Sequence, residues 1–395
     1  MSEAAATVQE EEKQERSARL RDDIVTTVLA IVAALLIGAV LIAFSYERSL
    51  DSLSYVFSYP QDFFRHSGDA IWTSYEAMVK GSVGSISALS ETLERAAPLI
   101  CAGLGVALAF RAGLFNIGAQ GQMIVAALAA GYVGWTWDLP VGLHLLVSIG
   151  AAVVVGGCYG GFVGALKART GAHEVITTIM LNYIALLGIL AFALLHPAFQ
   201  RPGQTEPLSD RVADSAAYPV IGDLHLGILV ALLAAALTWW ILDRSTLGFQ
   251  LKAVGSNPEA ARTAGMSVPM AYTSAMVLAG VFSGLAATML VNGDRFAISS
   301  TLFGTIGFDA ITVALLGRGK PLGTVLAGLL FGALQVGGRA MEATSVGTSP
   351  DLAQVLQALI VLFVAAPALI AALTRRRRRE PPPAFAAPST QEEAA

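Results

Sequence analysis

Charge is what this sequence has least of. Only 14% of its 395 residues are charged, against about a quarter in a soluble domain, while 55% are hydrophobic and the mean hydropathy is +0.63. That balance points to a membrane. Cysteine is nearly absent: Cys101 and Cys158 both sit in apolar runs, so there is neither a disulfide framework nor a zinc ligand set, and both read as packing residues. The five histidines, His66, His144, His173, His196 and His225, are scattered. No Ser-His-Asp set, paired carboxylates or metal site can be recognised among them. The nearest approach to a phosphate loop, Gly317-Arg318-Gly319-Lys320, runs into Pro321 where Ser or Thr is required and lacks the glycine spacing. The chain is therefore expected to have no catalytic residues and no ATPase of its own. A net charge of −4 gives no support to nucleic-acid binding, and the composition excludes collagen, disulfide scaffolds and general disorder.

What is there is a series of apolar runs. Ile24 to Phe44 holds no charged residue and is long enough, at about 1.5 Å per residue, to cross the hydrocarbon core as a helix. It follows a tail with seven acids, unlike a cleavable signal peptide, and reads as a retained anchor. Further runs lie near 95–111, 117–136, 139–166, 174–196, 226–243, 270–292, 306–317, 321–340 and 352–373. The sequence thus predicts an all-α polytopic membrane protein of about ten transmembrane helices. Two of the runs are weak: 306–317 is short and contains Asp309, and 117–136 opens with Gly118, Gln120, Gly121 and Gln122. Both are read as broken or re-entrant helices buried in protein. Four runs in 95–196 and four in 270–373 start from opposite sides, which allows an inverted repeat of two four-helix units.

Charge sets the orientation. With the tail at 1–23 placed in the cytoplasm, seventeen of the 25 Lys and Arg residues fall on that side, including the run Arg375 to Arg379, and eight on the other. The positive-inside rule requires that bias. Both termini are then cytoplasmic, and 45–94, with interfacial helices around Phe63 to Val79, 197–225 and 341–351 face outside. The tail at 374–395 is too polar to fold alone and is expected to be disordered.

Three segments carry polar groups where they are costly. Residues 110–122 pack Asn116, Gln120 and Gln122 among glycines at the edge of an apolar run. In 173–183, Glu174, Thr178 and Asn182 recur every four residues on one helix face. That face is expected to turn inward, with Asn182 making either a structural hydrogen bond or a solute contact, and Glu174 to pair with a basic loop residue. The amides serve equally as interhelical glue or as the lining of a watery path. With Asn292 and Asp309, they are the candidates for a solute path, and Phe308 is placed to stack on a ring. In the third segment, Asn257 is a good N-cap, Pro258 suits the first helical position, Glu259 suits the positive helix end and Gly265 closes the piece after under two turns. So short a helix needs docking to persist. Gly156, Gly160 and Gly164 form a row for close helix contact, within the chain or between subunits.

On the residues FRAGLFNIGAQGQ at 110–122, EVITTIMLNYIA at 174–185, AVGSNPEAARTAGM at 253–266 and GFDAITVALLGRGKPLG at 307–323, the sequence resembles the ATP-binding-cassette importer permeases of the branched-chain amino acid, ribose and nucleoside group. It is most similar to the nucleoside and simple-sugar permeases, over roughly 75–373. The resemblance implies a permease core at 95–373 in a bacterial inner membrane. It implies a separate ATPase subunit that uses ATP and Mg, with Asn257, Pro258, Glu259, Ala260, Ala261 and Arg262, near 257–265, as the coupling helix docked into it. It also implies an external solute-binding protein and a second permease chain, a different chain before a second copy. The chain itself is expected to bind no cofactor, and its only other partner is membrane lipid. The alternative is a proton- or sodium-coupled secondary transporter, for which Asp309 is the one acid well inside a proposed span.

Overall fold

The computed structural model describes residues 25, 28–204, 206–344, 346 and 350–365. The tails at 1–23 and 374–395, and with them the expectations of a charged arm and a disordered end, lie outside the described residues. The chain forms two compact units, 38–358 and a smaller one from its two ends, 1–37 with 359–395. The described part of the smaller unit comprises the first turns of helix α1 (Val28–Ser45) and the last turns of α15 (Pro350–Ala365).

The larger unit is helical almost throughout. After α1 come α2 (Glu47–Leu53), α3 (Pro60–Val83), α4 (Ile86–Arg111), α5 (Ala119–Thr136), α6 (Leu143–Thr170), α7 (Glu174–Tyr183) and α8 (Ala191–Leu195). Then follow α9 (Gly227–Arg244), α10 (Thr246–Ser256), α11 (Pro258–Thr263), α12 (Val268–Thr288), α13 (Ile306–Leu316) and α14 (Pro321–Glu342). One two-residue hairpin, β1 (Val220–Ile221) with β2 (Leu224–His225), pairs antiparallel. Two π-helical turns went unseen in the sequence: Ile184–Leu190 joins α7 to α8, and Met289–Arg295 extends α12.

Among the described residues, seven helices are long and apolar enough to cross a membrane: α1, α4, α6, the run Glu174–Leu195, α9, the run Val268–Arg295 and α14. Ten runs were expected, and three of them fall short for visible reasons. The two glutamines in its first turn make α5 too polar, α13 has only 11 residues, and 16 residues of α15 are described. At about 1.5 Å per residue α13 reaches only about halfway through the hydrocarbon core, so the bundle itself must bury its ends.

Helix α4 is the axis of the bundle. From Ala96 to Ala109 every residue is buried, the behaviour of a helix that is apolar all round. Beside it, α6 and α12 meet backbone to backbone. On α6 the row Ala152, Gly156, Gly160 and Gly164 runs antiparallel to Gly284, Gly280, Met276 and Thr273 of α12. A Cβ on Gly160 would stand 2.2 Å from the Met276 carbonyl oxygen, and one on Gly280 would stand 2.0 Å from that of Gly156. The glycine row therefore serves contact within the chain. Small residues permit such approach where the bilayer supplies no hydrophobic drive between helices.

Candidate solute path and coupling segment

The α4–α5 turn is built first by its own residues. Gly113 takes a left-handed φ of 73°, and the Phe110 and Phe115 rings stack across the turn with centroids 5.1 Å apart. The side chain of Asn116 then accepts from the Gly118 N–H at 2.8 Å and donates to Gln122 Oε1 at 3.4 Å. Ser283 of α12 donates to the same Gln122 oxygen at 3.0 Å. Gln122 Nε2 is buried and has no partner among the described residues.

Two further amides zip neighbouring elements onto the start of α5. Asn182 accepts from the Gly121 N–H at 2.8 Å and donates to the Ile117 carbonyl at 2.9 Å. This answers the question of the α7 face: Thr178 and Asn182 turn inward, and Asn182 makes structural hydrogen bonds. Gln120 donates to the Gly304 carbonyl at 3.1 Å and accepts from the Gly307 N–H at 2.7 Å, which fixes the first turn of α13. Asn292, on the π-helical extension of α12, donates to Ser148 Oγ at 3.0 Å and to the Ala216 carbonyl at 2.9 Å. All five amides are buried.

Phe308 and Asp309 sit differently. Phe308 is 48% exposed, and Asp309 is half-buried on a face of α13 that also carries Thr305 and Thr312. Three uncharged donors converge on the Asp309 carboxylate: Thr305 Oγ1 at 3.1 Å, Gln335 Nε2 of α14 at 3.3 Å and Gln357 Nε2 of α15 at 3.3 Å. The two glutamines lie in apolar runs 26 and 48 residues from Asp309 in sequence, so no local spacing ties them to it. A half-open patch of carboxylate, hydroxyl and amide groups in an apolar bundle is costly against lipid and fits a wet path or a second polar surface.

The coupling segment has the geometry its sequence spells. Asn257 Oδ1 accepts from the Glu259 and Ala260 N–H groups at 3.0 and 3.1 Å, and Pro258 opens α11. Gly265, with φ 81°, closes it. The Met266 N–H reaches the Ala261 carbonyl and the Gly265 N–H reaches that of Arg262, both at 3.0 Å, the paired closure of a Schellman end. Ala261 is buried against the bundle, while Glu259, Ala260, Arg262 and Thr263 are exposed, with Glu259 and Arg262 paired at 3.2 Å. Glu174 pairs with Lys167 at 2.8 Å; the cation comes from the last turn of α6 rather than from a loop.

Residues 88–365 match the family described as branched-chain amino acid transport system / permease component. The chain is 40% identical, over 76% of its length and 87% of the relative's, to the guanosine ABC transporter permease protein NupP of Bacillus subtilis (strain 168). It is 35% identical, over 73% of its length and 79% of the relative's, to the glucose ABC transporter permease protein of Haloferax volcanii. A second guanosine permease protein of the same Bacillus strain, NupQ, is 27% identical over 62% of this chain and 79% of its own length.

Proposed function

The chain belongs to the branched-chain amino acid transport system permease family, and from that premise we propose that it translocates a nucleoside or simple sugar, delivered by an external binding protein, in an ATP-binding-cassette importer of the cell membrane. A separate ATPase subunit binds ATP and Mg. The observation that carries this reading is α11: both ends are capped, its inner residue Ala261 is anchored, and its outer residues Glu259, Ala260, Arg262 and Thr263 are bare. Such a helix is rigid enough to transmit force and offers its free face to a partner. The ion-driven alternative finds no support among the relatives, whose names are those of ABC transporter permeases.

A second, different permease chain completes the assembly in this reading, because one chain carries one coupling segment while cassette ATPases act in pairs. Two distinct guanosine permeases of one Bacillus strain, unequally similar to this chain, support a heterodimer over a homodimer. The solute path runs along the open face of α13, past Phe308 and Asp309, while Asn116, Gln120, Gln122, Asn182 and Asn292 hold that helix and its neighbours in place. Both termini, with α11, lie in the cytoplasm. In a Cys158→Ser background, cysteines at the exposed positions Ser58 and Gln204 label with an impermeant thiol reagent in intact cells, and one at Ser256 does not; the reverse pattern overturns the orientation.

Purification through a tag on this chain is expected to recover an ATPase and a second permease in equal amounts, and Glu259→Lys to abolish uptake while the binding protein still captures solute. Normal uptake by a well-expressed Glu259→Lys variant contradicts the coupling role. Calorimetry of the binding protein against guanosine, adenosine, ribose and glucose then separates nucleoside from sugar.

A further inference from the structure

Three segments far apart in sequence meet at one residue, Arg111, at the last turn of α4. Gly255, in the last turn of α10, lies directly on its backbone: a Cβ there would stand 2.2 Å from the Arg111 carbonyl oxygen and 2.9 Å from the Gly113 nitrogen. From the other side, a Cβ on Gly113 would come within 3.2 Å of the Gly255 Cα. The chain that leads into α11 thus rests, two residues before the Asn257 cap, on the bare backbone of the α4–α5 turn. The half-buried Arg111 side chain serves a different neighbour. Its Nε donates to the Gly319 carbonyl at 3.0 Å, in the α13–α14 turn, where Arg318 and Gly319 both adopt left-handed φ values of 54° and 61°.

What lies beyond each contact gives the junction its meaning. The α4–α5 turn continues within five residues into Asn116 and the amides that order the start of α5. The α13–α14 turn ends α13, whose single 11-residue rod carries Phe308 and Asp309 and whose first turn is held by Gln120 through Gly307. A displacement of α11 therefore has a short, tightly packed route to both ends of α13. Close-packed backbones transmit such displacements because they cannot absorb them.

We infer that Arg111 is the positioning residue through which α11 moves α13: its carbonyl bears on the coupling segment and its guanidinium holds the α13–α14 turn. The inference rests on the permease reading above. Arg111 touches neither solute nor nucleotide in this role. Lysine does not replace it, since a flexible point charge does not reproduce a planar Nε–H donor directed at one carbonyl.

The test uses the whole complex, co-purified with its ATPase and second permease and reconstituted with the binding protein. Arg111→Lys and Gly255→Ala are each compared with the unsubstituted chain for ATP hydrolysed per solute imported. That ratio is expected to rise at least about fivefold in each, the lower end of the usual coupling between sites, with the ATPase retained in the same proportion. The double variant is expected to be no worse than the poorer single one, because both break the same contact chain. An unchanged ratio in both variants overturns the inference and leaves the permease assignment standing. Loss of the ATPase from the complex also overturns it, since Arg111 then serves docking rather than transmission. If Arg111→Lys fails to accumulate, Gly255→Ala decides alone. Failure of the unsubstituted chain to bring down any ATPase counts instead against the permease reading.

Discussion

Two sets of polar groups lie inside this apolar bundle, and they are treated in opposite ways. The amides of Asn116, Gln120, Gln122, Asn182 and Asn292 are buried, and most of their hydrogen bonds go to the protein's own backbone, several of them to glycines packed too closely to admit a side chain. The carboxylate of Asp309 is held by side chains alone, on a face left partly open beside the exposed ring of Phe308. The first set closes backbone gaps that the turns and half-helices create. The second keeps its hydrogen-bonding capacity available. A polar side chain in a membrane bundle is thus read by what it bonds to, more than by its type.

The largest effect expected is on stability. Gln120→Ala strands the buried Gly307 N–H, costing about 1–3 kcal/mol, and removes the hydrogen bond to the exposed Gly304 carbonyl, worth about 0.5–1.5 kcal/mol more. Thermal unfolding in detergent is expected to show a loss of about 2–4 kcal/mol; a variant as stable as the parent would erase the distinction between the two sets. Asp309→Asn goes the other way. The side chain keeps its shape and one acceptor oxygen for Thr305 and Gln335, and its new NH2 group is met by the Gln357 amide turned over, so unfolding shifts less than in Gln120→Ala. ATP-driven uptake falls by about tenfold or more, as expected when a charged acceptor worth about 1.5–3 kcal/mol is lost. Equal losses of uptake and stability would place Asp309 with the amides. Phe308→Ala is smaller again: an aromatic stack contributes about 0.5–1.5 kcal/mol, so uptake of a nucleoside is expected to drop between about two- and tenfold while that of a simple sugar drops less.

The smallest effect lies at the other end of the bundle. His225 is buried beneath Tyr218, its ring centroid 5.8 Å away, and its Nδ1 accepts from the Gly227 N–H at 3.1 Å. Burial lowers the imidazole's affinity for a proton by more than the Asp294 carboxylate raises it, and Arg95 lowers it a little further; Glu94 accepts from its backbone N–H. The folded chain therefore prefers neutral His225. Stability is full above the ordinary histidine value of about 6.5 and falls as the pH drops below it, because the unfolded chain takes up the proton first. Unfolding temperatures between pH 7.5 and 5.5 are expected to decline, and His225→Gln to flatten that slope.

Much of the architecture was legible. Apolar runs located the spans, and the two weak runs proved to be α5, opened by its glutamines, and the 11-residue α13. The grammar Asn257-Pro258-Glu259 followed by Gly265 spelled α11 because caps are local. What escaped is what depends on distant partners. The row Gly156, Gly160, Gly164 shows a face but not its mate; a second row at Met276, Gly280 and Gly284 was the available signal. Gln335, Gln357 and the bond from Arg111 to Gly319 join residues 26, 48 and 208 apart, and no local pattern announces them. The π-helical turns that carry Asn292 and widen the α7–α8 run leave no periodic trace either.

The central claim, a solute path without its own engine driven through α11 by a separate ATPase, is tested most directly in proteoliposomes. This chain is reconstituted with its co-purified permease and ATPase, binding protein is supplied outside, and entry of radiolabelled guanosine is followed with ATP enclosed or with only a proton or sodium gradient imposed. The account predicts uptake that requires both enclosed ATP and the binding protein and that disappears with Glu259→Lys. Accumulation by this chain alone, driven by an ion gradient and indifferent to ATP, would contradict it.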